Sequence, residues 1–93
     1  MPILSFRCRE TQALFEGKRV LRFANIHGVA ERKLQQLDSA ETLAFLRAPP
    51  GNRLERLIGD RAGQYSIRIN AQWRICFVWT GDGPAQVEIT DYH

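Results

Sequence analysis

An α+β layer, with two or three N-terminal helices packed on one face of a twisted antiparallel β-sheet, is the fold class this sequence predicts. Three observations carry that expectation. In the second half, Tyr65, Ile67 and Ile69 alternate with Ser66 and Arg68, and Trp73, Ile75, Phe77 and Trp79 alternate with Arg74, Cys76 and Val78, the period of half-buried strands. In the first half, Leu21, Phe23, Ile26, Val29, Ala30, Leu34 and Leu37 recur at spacings near three and four, the period of an amphipathic helix. The resulting order, one strand, then helices, then four strands, sets helices against a single antiparallel sheet.

Taken along the chain, Pro2 to Cys8, with Ile3, Leu4 and Phe6, predicts a short first strand that serves as an edge or partner for the later ones. Thr11 to Phe15 predicts a helical turn capped by Thr11 and ended by Gly17. The amphipathic segment Val20 to Leu37 follows, weakened or broken by Gly28. Its polar side carries Arg22, Arg32 and Lys33, read as a solvated face, with a role against RNA, the ribosome or a partner protein as the less favoured alternative for each. Asp38-Ser39-Ala40-Glu41 has the form of a helix cap with its reciprocal glutamate and predicts a second helix through Thr42, Leu43, Phe45 and Leu46. Ala48-Pro49-Pro50-Gly51-Asn52 stops that helix, because consecutive prolines remove amide donors and push the preceding residue out of helical geometry. Arg53 to Ile58 reads better as a strand than as a helical turn, and Gly59 to Gly63 as a turn.

The register of the next two strands follows from their faces. A two-residue loop would pair Ile69 with Arg74 and mix polar with apolar side chains, whereas pairing Ile69 with Trp73 sets Ile67 against Ile75 and Tyr65 against Phe77. The same register sets Arg68 against Arg74 and Ser66 against Cys76 on the opposite face, which is left to water or to a ligand. Like charges directly across a sheet repel unless an anion lies near them, and a guanidinium offers a rigid fork of donors that suits phosphate oxygens. The plainer alternative packs both apolar stems along a wet face with the heads solvated. Gly81-Asp82-Gly83-Pro84 predicts a turn, and Ala85 to Thr90 resumes alternation, with Val87 and Ile89 on the apolar side. Strict alternation then places Asp91 and His93 on the apolar face and Tyr92 on the polar one, unless a bulge re-aims them.

With 93 residues the chain makes one domain, spanning 1–93. A composition of 44% hydrophobic and 25% charged residues excludes a disordered chain. A net charge of +3 favours an anionic partner without the excess of a polycation. Cys8 and Cys76 are too few and too scattered for a disulfide framework or a zinc site, and fit reduced, buried thiols. The first ten residues lack the apolar core of a signal peptide and no run reaches membrane-spanning length, so a cytoplasmic protein is expected.

The run NRLERLIGDRAGQYSIRINAQWRICFVW, followed by VEITDYH, closely resembles the HigB-type toxins of type II toxin-antitoxin systems, within the RelE superfamily; AERKLQQLD and PPGNRLE are similar to the same family. The resemblance covers the chain from about Val29 onward. It implies a RelE-like fold and a small, metal-independent endoribonuclease, with no cofactor, that cuts messenger RNA in the decoding site of a translating ribosome. It also implies a cognate helix-turn-helix antitoxin, HigA-like, with which the toxin would bind operator DNA only as a complex and repress its own operon, with no membrane partner. The family's terminal Asp-Tyr-His falls on Asp91, Tyr92 and His93, and its Trp-Arg-Ile arginine on Arg74. This sequence departs at Glu55, where several members carry a histidine, and at Ile58, a neighbouring lysine position.

Breaking RNA without a metal requires a base for the ribose 2′ proton, an acid for the leaving 5′ oxygen and positive charge near the phosphorane. Arg74 is the candidate for that charge, helped by Arg68, with Arg61 and Arg53 as further RNA-binding residues. His93, whose own terminal carboxylate would favour a protonated imidazole, is the candidate acid. Glu55 or Asp91 is the candidate base, and Tyr92 stacks on a nucleobase or donates a hydrogen bond. Two other classes remain: a non-catalytic module that grips RNA or the ribosome, and an accessory protein that only joins an antitoxin in repression. DNA binding by this chain alone is disfavoured, since no segment looks like a recognition helix with a basic face.

Overall fold

The computed structural model describes residues 2–91, so Tyr92 and His93 lie outside it. Its framework is a four-stranded antiparallel sheet in the order β1 (Glu55–Arg56), β2 (Tyr65–Arg68), β3 (Trp73–Thr80) and β4 (Gly83–Asp91). Two α-helices, α1 (Arg9–Phe15) and α2 (His27–Ser39), pack against one of its faces, with short 3-10 turns at Leu21–Ile26, Leu43–Arg47 and Gly59–Arg61. The arrangement is the expected α+β layer.

The β2–β3 register is the one that the facial alternation demands: Tyr65 opposes Phe77, Ser66 opposes Cys76, Ile67 opposes Ile75 and Arg68 opposes Arg74. Ile69 donates its backbone N–H to the Trp73 carbonyl at 2.9 Å, which closes the hairpin with an Asn70-Ala71-Gln72 loop held by the Asn70 side chain. One face of the sheet is therefore continuous in Ile67, Ile69, Ile75 and Ile89, and α2 buries Ala30, Leu34 and Leu37 in the same cluster. At about 1.5–3 kcal/mol for each fully buried large apolar side chain, this shared core fixes the helical layer on one side of the sheet. Phe23 seals its end against Trp73, edge to face at 5.5 Å.

Four local expectations are corrected. Pro2–Cys8 makes no ladder strand; it runs extended beside β4, parallel to it, through a single bridge from Phe6 to Val87 and backbone bonds from Leu4 to Pro84 and Arg7 to Val87. A full ladder is prevented by a bulge in β4, where the register slips between Cys76 and Val78 and Gln86 takes a positive φ of 52°. Thr11 does not cap α1, which starts two residues earlier; it lies buried in the helix, and its hydroxyl accepts the Ile89 backbone N–H at 2.9 Å, tying α1 to β4. Asp38 and Ser39 end α2 rather than opening a helix: Asp38 accepts the Ile3 N–H at 2.9 Å, and the following 3-10 turn is capped by Thr42. The amphipathic segment breaks at Ile26, where a short 3-10 stretch kinked at Phe23 gives way to α2 just before Gly28.

Candidate active site

The second face of the sheet carries Glu55, Ser66, Arg68, Arg74, Cys76, Glu88 and Thr90, brought together by the three registers. It is not left open, as the alternation alone suggested. Ser66 and Cys76 are fully buried and Arg74 is only 8% exposed, because the chain from Asn52 to Gln64 folds over them.

Asn52 organises that cover. Its side-chain NH2 donates to the Leu46 carbonyl and to Gln36, while the Asn52 backbone carbonyl accepts the Arg68 N–H. The next residue, Arg53, then takes a positive φ of 44°, a conformation seldom adopted by residues other than glycine and held only where surrounding contacts demand it. Its carbonyl consequently faces the sheet and accepts from Arg74 Nη2 at 2.8 Å. Arg74 Nε donates to Ser66 Oγ at 2.7 Å, and Glu55 Oε1 stands 3.8 Å from Nη2. The guanidinium is thus fixed from two sides before any ligand arrives, and Nη1 keeps its donors with no partner among the described residues.

Arg68 and Arg74 form a pair without mutual backbone bonds, since the Arg68 N–H is taken by Asn52 and its carbonyl by Lys33 Nζ at 2.6 Å; side chains approach closely at such pairs. The Arg68 guanidinium has no hydrogen bond or ion pair among the described residues. Burial, followed by repulsion from Arg68, Arg32 and Arg74, pushes the half-buried Lys33 ammonium below the ordinary lysine value. Sequence reasoning gave Lys33 a solvated helix face first and an RNA or partner contact only second; the path of Pro49–Arg53 against α2 shows that its ammonium ends at the edge of β2.

The remaining candidates divide by location. Glu55, with a half-exposed side chain, lies beside Arg74. Arg61 crosses to Glu88 at 2.9 Å and also donates to Gln64; burial raises the Cys76 thiol beneath this pair above its usual value, with Arg61 opposing the effect. Arg53 is exposed at the rim. Asp91 pairs with Trp73 on the helical face and accepts from Gln72 Nε2 at 3.0 Å, so it stands across the sheet from Arg74. Tyr92 and His93 fall outside the described residues. Among those described, no three His, Cys, Asp or Glu side chains stand together as a metal would need. A cavity of about 330 Å³ lined by Arg19, Val20, Leu21, Ala24 and His27 lies in the helical layer, and neither Arg68 nor Arg74 lines it.

Comparison with known proteins decides the family: a model described as the RelE-like toxin of the type II toxin-antitoxin system HigB matches residues 5–93. The chain belongs to the HigB-like toxins. It is 38% identical over 92 residues to Toxin HigB-1 of Vibrio cholerae serotype O1, a match covering 97% of this chain and 96% of that protein. A Haemophilus influenzae protein described as uncharacterized is 39% identical over 54 residues, 58% of this chain and 54% of its own length. As a HigB-like toxin of a type II system, the chain has an antitoxin as its partner. No helix among the described residues is long and apolar enough to cross a membrane.

Proposed function

We propose that this HigB-like toxin is a metal-independent endoribonuclease that cuts messenger RNA held in the decoding site of a translating ribosome. The observation that carries the reading is the Arg74 guanidinium: buried, held by Ser66 and Arg53, and left with free donors beside Glu55. Donors fixed in place before reaction stabilise developing charge without the reorganisation that water requires.

In the reaction, the ribose 2′ oxygen attacks the adjacent phosphorus while its proton passes to a base. The bond to the 5′ oxygen breaks, and an acid protonates that leaving oxygen, giving a 2′,3′-cyclic phosphate and a 5′ hydroxyl. Glu55 is the base we assign, because it shares a face with Arg74, whereas Asp91 stands on the other. Arg74 neutralises the phosphorane, Arg68 and Arg53 hold flanking phosphates, and Arg61, engaged by Glu88, orders the cover over Cys76. His93 is assigned the acid role and Tyr92 a stacking role, both from the family resemblance. A HigA-like helix-turn-helix antitoxin would restrain the enzyme in the cytoplasm and bind operator DNA with it.

Single-turnover cleavage of messages on programmed ribosomes tests the assignment. Wild-type protein should produce 5′ hydroxyl ends, and Arg74→Ala should slow their appearance about 10²–10³-fold, the effect of removing one pre-aimed oxyanion donor. A folded Arg74→Ala protein that cuts at the wild-type rate would refute the site.

A further inference from the structure

Lys33 belongs to α2, on the helical side of the sheet, but its ammonium reaches the edge of β2 where the two-residue β1 has ended. There it meets the Arg68 carbonyl at 2.6 Å and comes within 3.6 Å of where a Cβ on Gly51 would stand. An ammonium has three donors, and the Arg68 carbonyl uses one. No carboxylate lies within ion-pair distance of Nζ among the described residues, and its charged neighbours are Arg68, Arg32 and Arg74. The only carboxylate paired with any of these cations there is Glu55, on Arg74. A half-dry cation among other cations is poorly satisfied in the free protein; an anion satisfies it.

We propose that Lys33 is a phosphate-binding residue of the substrate groove, holding a backbone phosphate next to the scissile one with the two N–H donors that the Arg68 carbonyl leaves free. The proposal rests on the ribonuclease reading for its substrate. A flexible ammonium suits a phosphate whose position varies with sequence, while the rigid guanidinium of Arg74 suits the one that must react. Burial depresses the affinity of Lys33 for its proton, and an approaching phosphate reverses that effect.

Lys33→Gln tests this, because glutamine can still donate to the Arg68 carbonyl while losing the charge; Lys33→Arg keeps the charge as a rescue. The probe is a short single-stranded RNA with 2′-O-methyl sugars, which lacks the 2′ proton and is not cut, titrated by fluorescence anisotropy over a range of KCl concentrations. One lost phosphate contact should reduce the slope of log affinity against log salt by about 0.7, with the slope restored in Lys33→Arg. In ribosome-programmed cleavage, Lys33→Gln should raise KM more than it lowers kcat. Superimposable salt curves for wild type and a folded Lys33→Gln variant would overturn the proposal. A Lys33-dependent slope on the oligonucleotide, combined with an absence of new RNA ends from wild-type protein, would instead uphold the phosphate contact and reject the nuclease reading.

Discussion

Replacing Ser66 with alanine removes one atom from the centre of the site and separates a fixed Arg74 from a merely present one. Ser66 is fully buried, and its hydroxyl is the acceptor for Arg74 Nε at 2.7 Å. A hydrogen bond to a charged group contributes about 1.5–3 kcal/mol, and the lost oxygen leaves Nε facing a methyl group in a closed space. Arg74 retains the Arg53 carbonyl at 2.8 Å, so a loss of about 2 kcal/mol is expected, equivalent to roughly 8–16 °C in Tm for a domain of this size. The freed guanidinium should also cost cleavage about 10–100-fold, because small displacements of a positioned group are amplified in rate. Urea unfolding and thermal melts measure the first effect, single-turnover cleavage at a temperature where both proteins are folded the second. Wild-type stability together with wild-type cleavage in Ser66→Ala would refute the claim that this hydroxyl holds Arg74 in place.

Three further outcomes are expected. Glu55→Gln should slow cleavage about 10²–10⁴-fold, the usual contribution of a positioned base, whereas Asp91→Asn, on the opposite face, should slow it far less; equal losses in a side-by-side rate comparison would redraw the site. Thr11→Val leaves the buried Ile89 N–H without its acceptor and should destabilise the fold by about 1–3 kcal/mol in urea titrations, with little change in cleavage rate below the melting range. A thiol reagent should modify the half-buried Cys8 first and reach Cys76 only on unfolding. Because burial raises the folded-state value of Cys76, its protonated thiol favours the fold; that stability is lost as pH rises through and beyond the usual thiol range of about 8.5, and Cys76→Ala should lose less over the same interval.

The parts of the fold that were legible in the sequence are those set by a repeating physical constraint. Alternation in Tyr65–Ile69 and Trp73–Trp79 admits only one register that keeps isoleucines on one face, and the structure has that register. From it came the Arg68–Arg74 juxtaposition. The parts that were not legible depend on single long-range hydrogen bonds with no periodic trace. Thr11 and Asp38 have the residue types of helix caps, and local rules assigned them so, yet each serves a distant amide, of Ile89 and Ile3 respectively. The same holds for the cover over the arginines. Consecutive prolines announced a loop at Pro49–Pro50, but the buried Asn52, the positive φ of Arg53 and the turn of its carbonyl toward Arg74 arise from packing against Leu46 and Gln36. The contact Lys33 makes with the Arg68 carbonyl was hidden for the same reason, since helix periodicity tells which face a side chain leaves from and not where a long, flexible stem ends.

The central claim is that RNA is broken on the face of the sheet that holds Arg74. Sequencing the 5′ ends of cellular messages after a brief pulse of expression tests it most directly, with Arg74→Ala and wild-type protein compared at equal abundance. The account predicts abundant new 5′ hydroxyl ends within translated regions for wild type and their near disappearance for Arg74→Ala; the same ends at the same frequency from both proteins would contradict it.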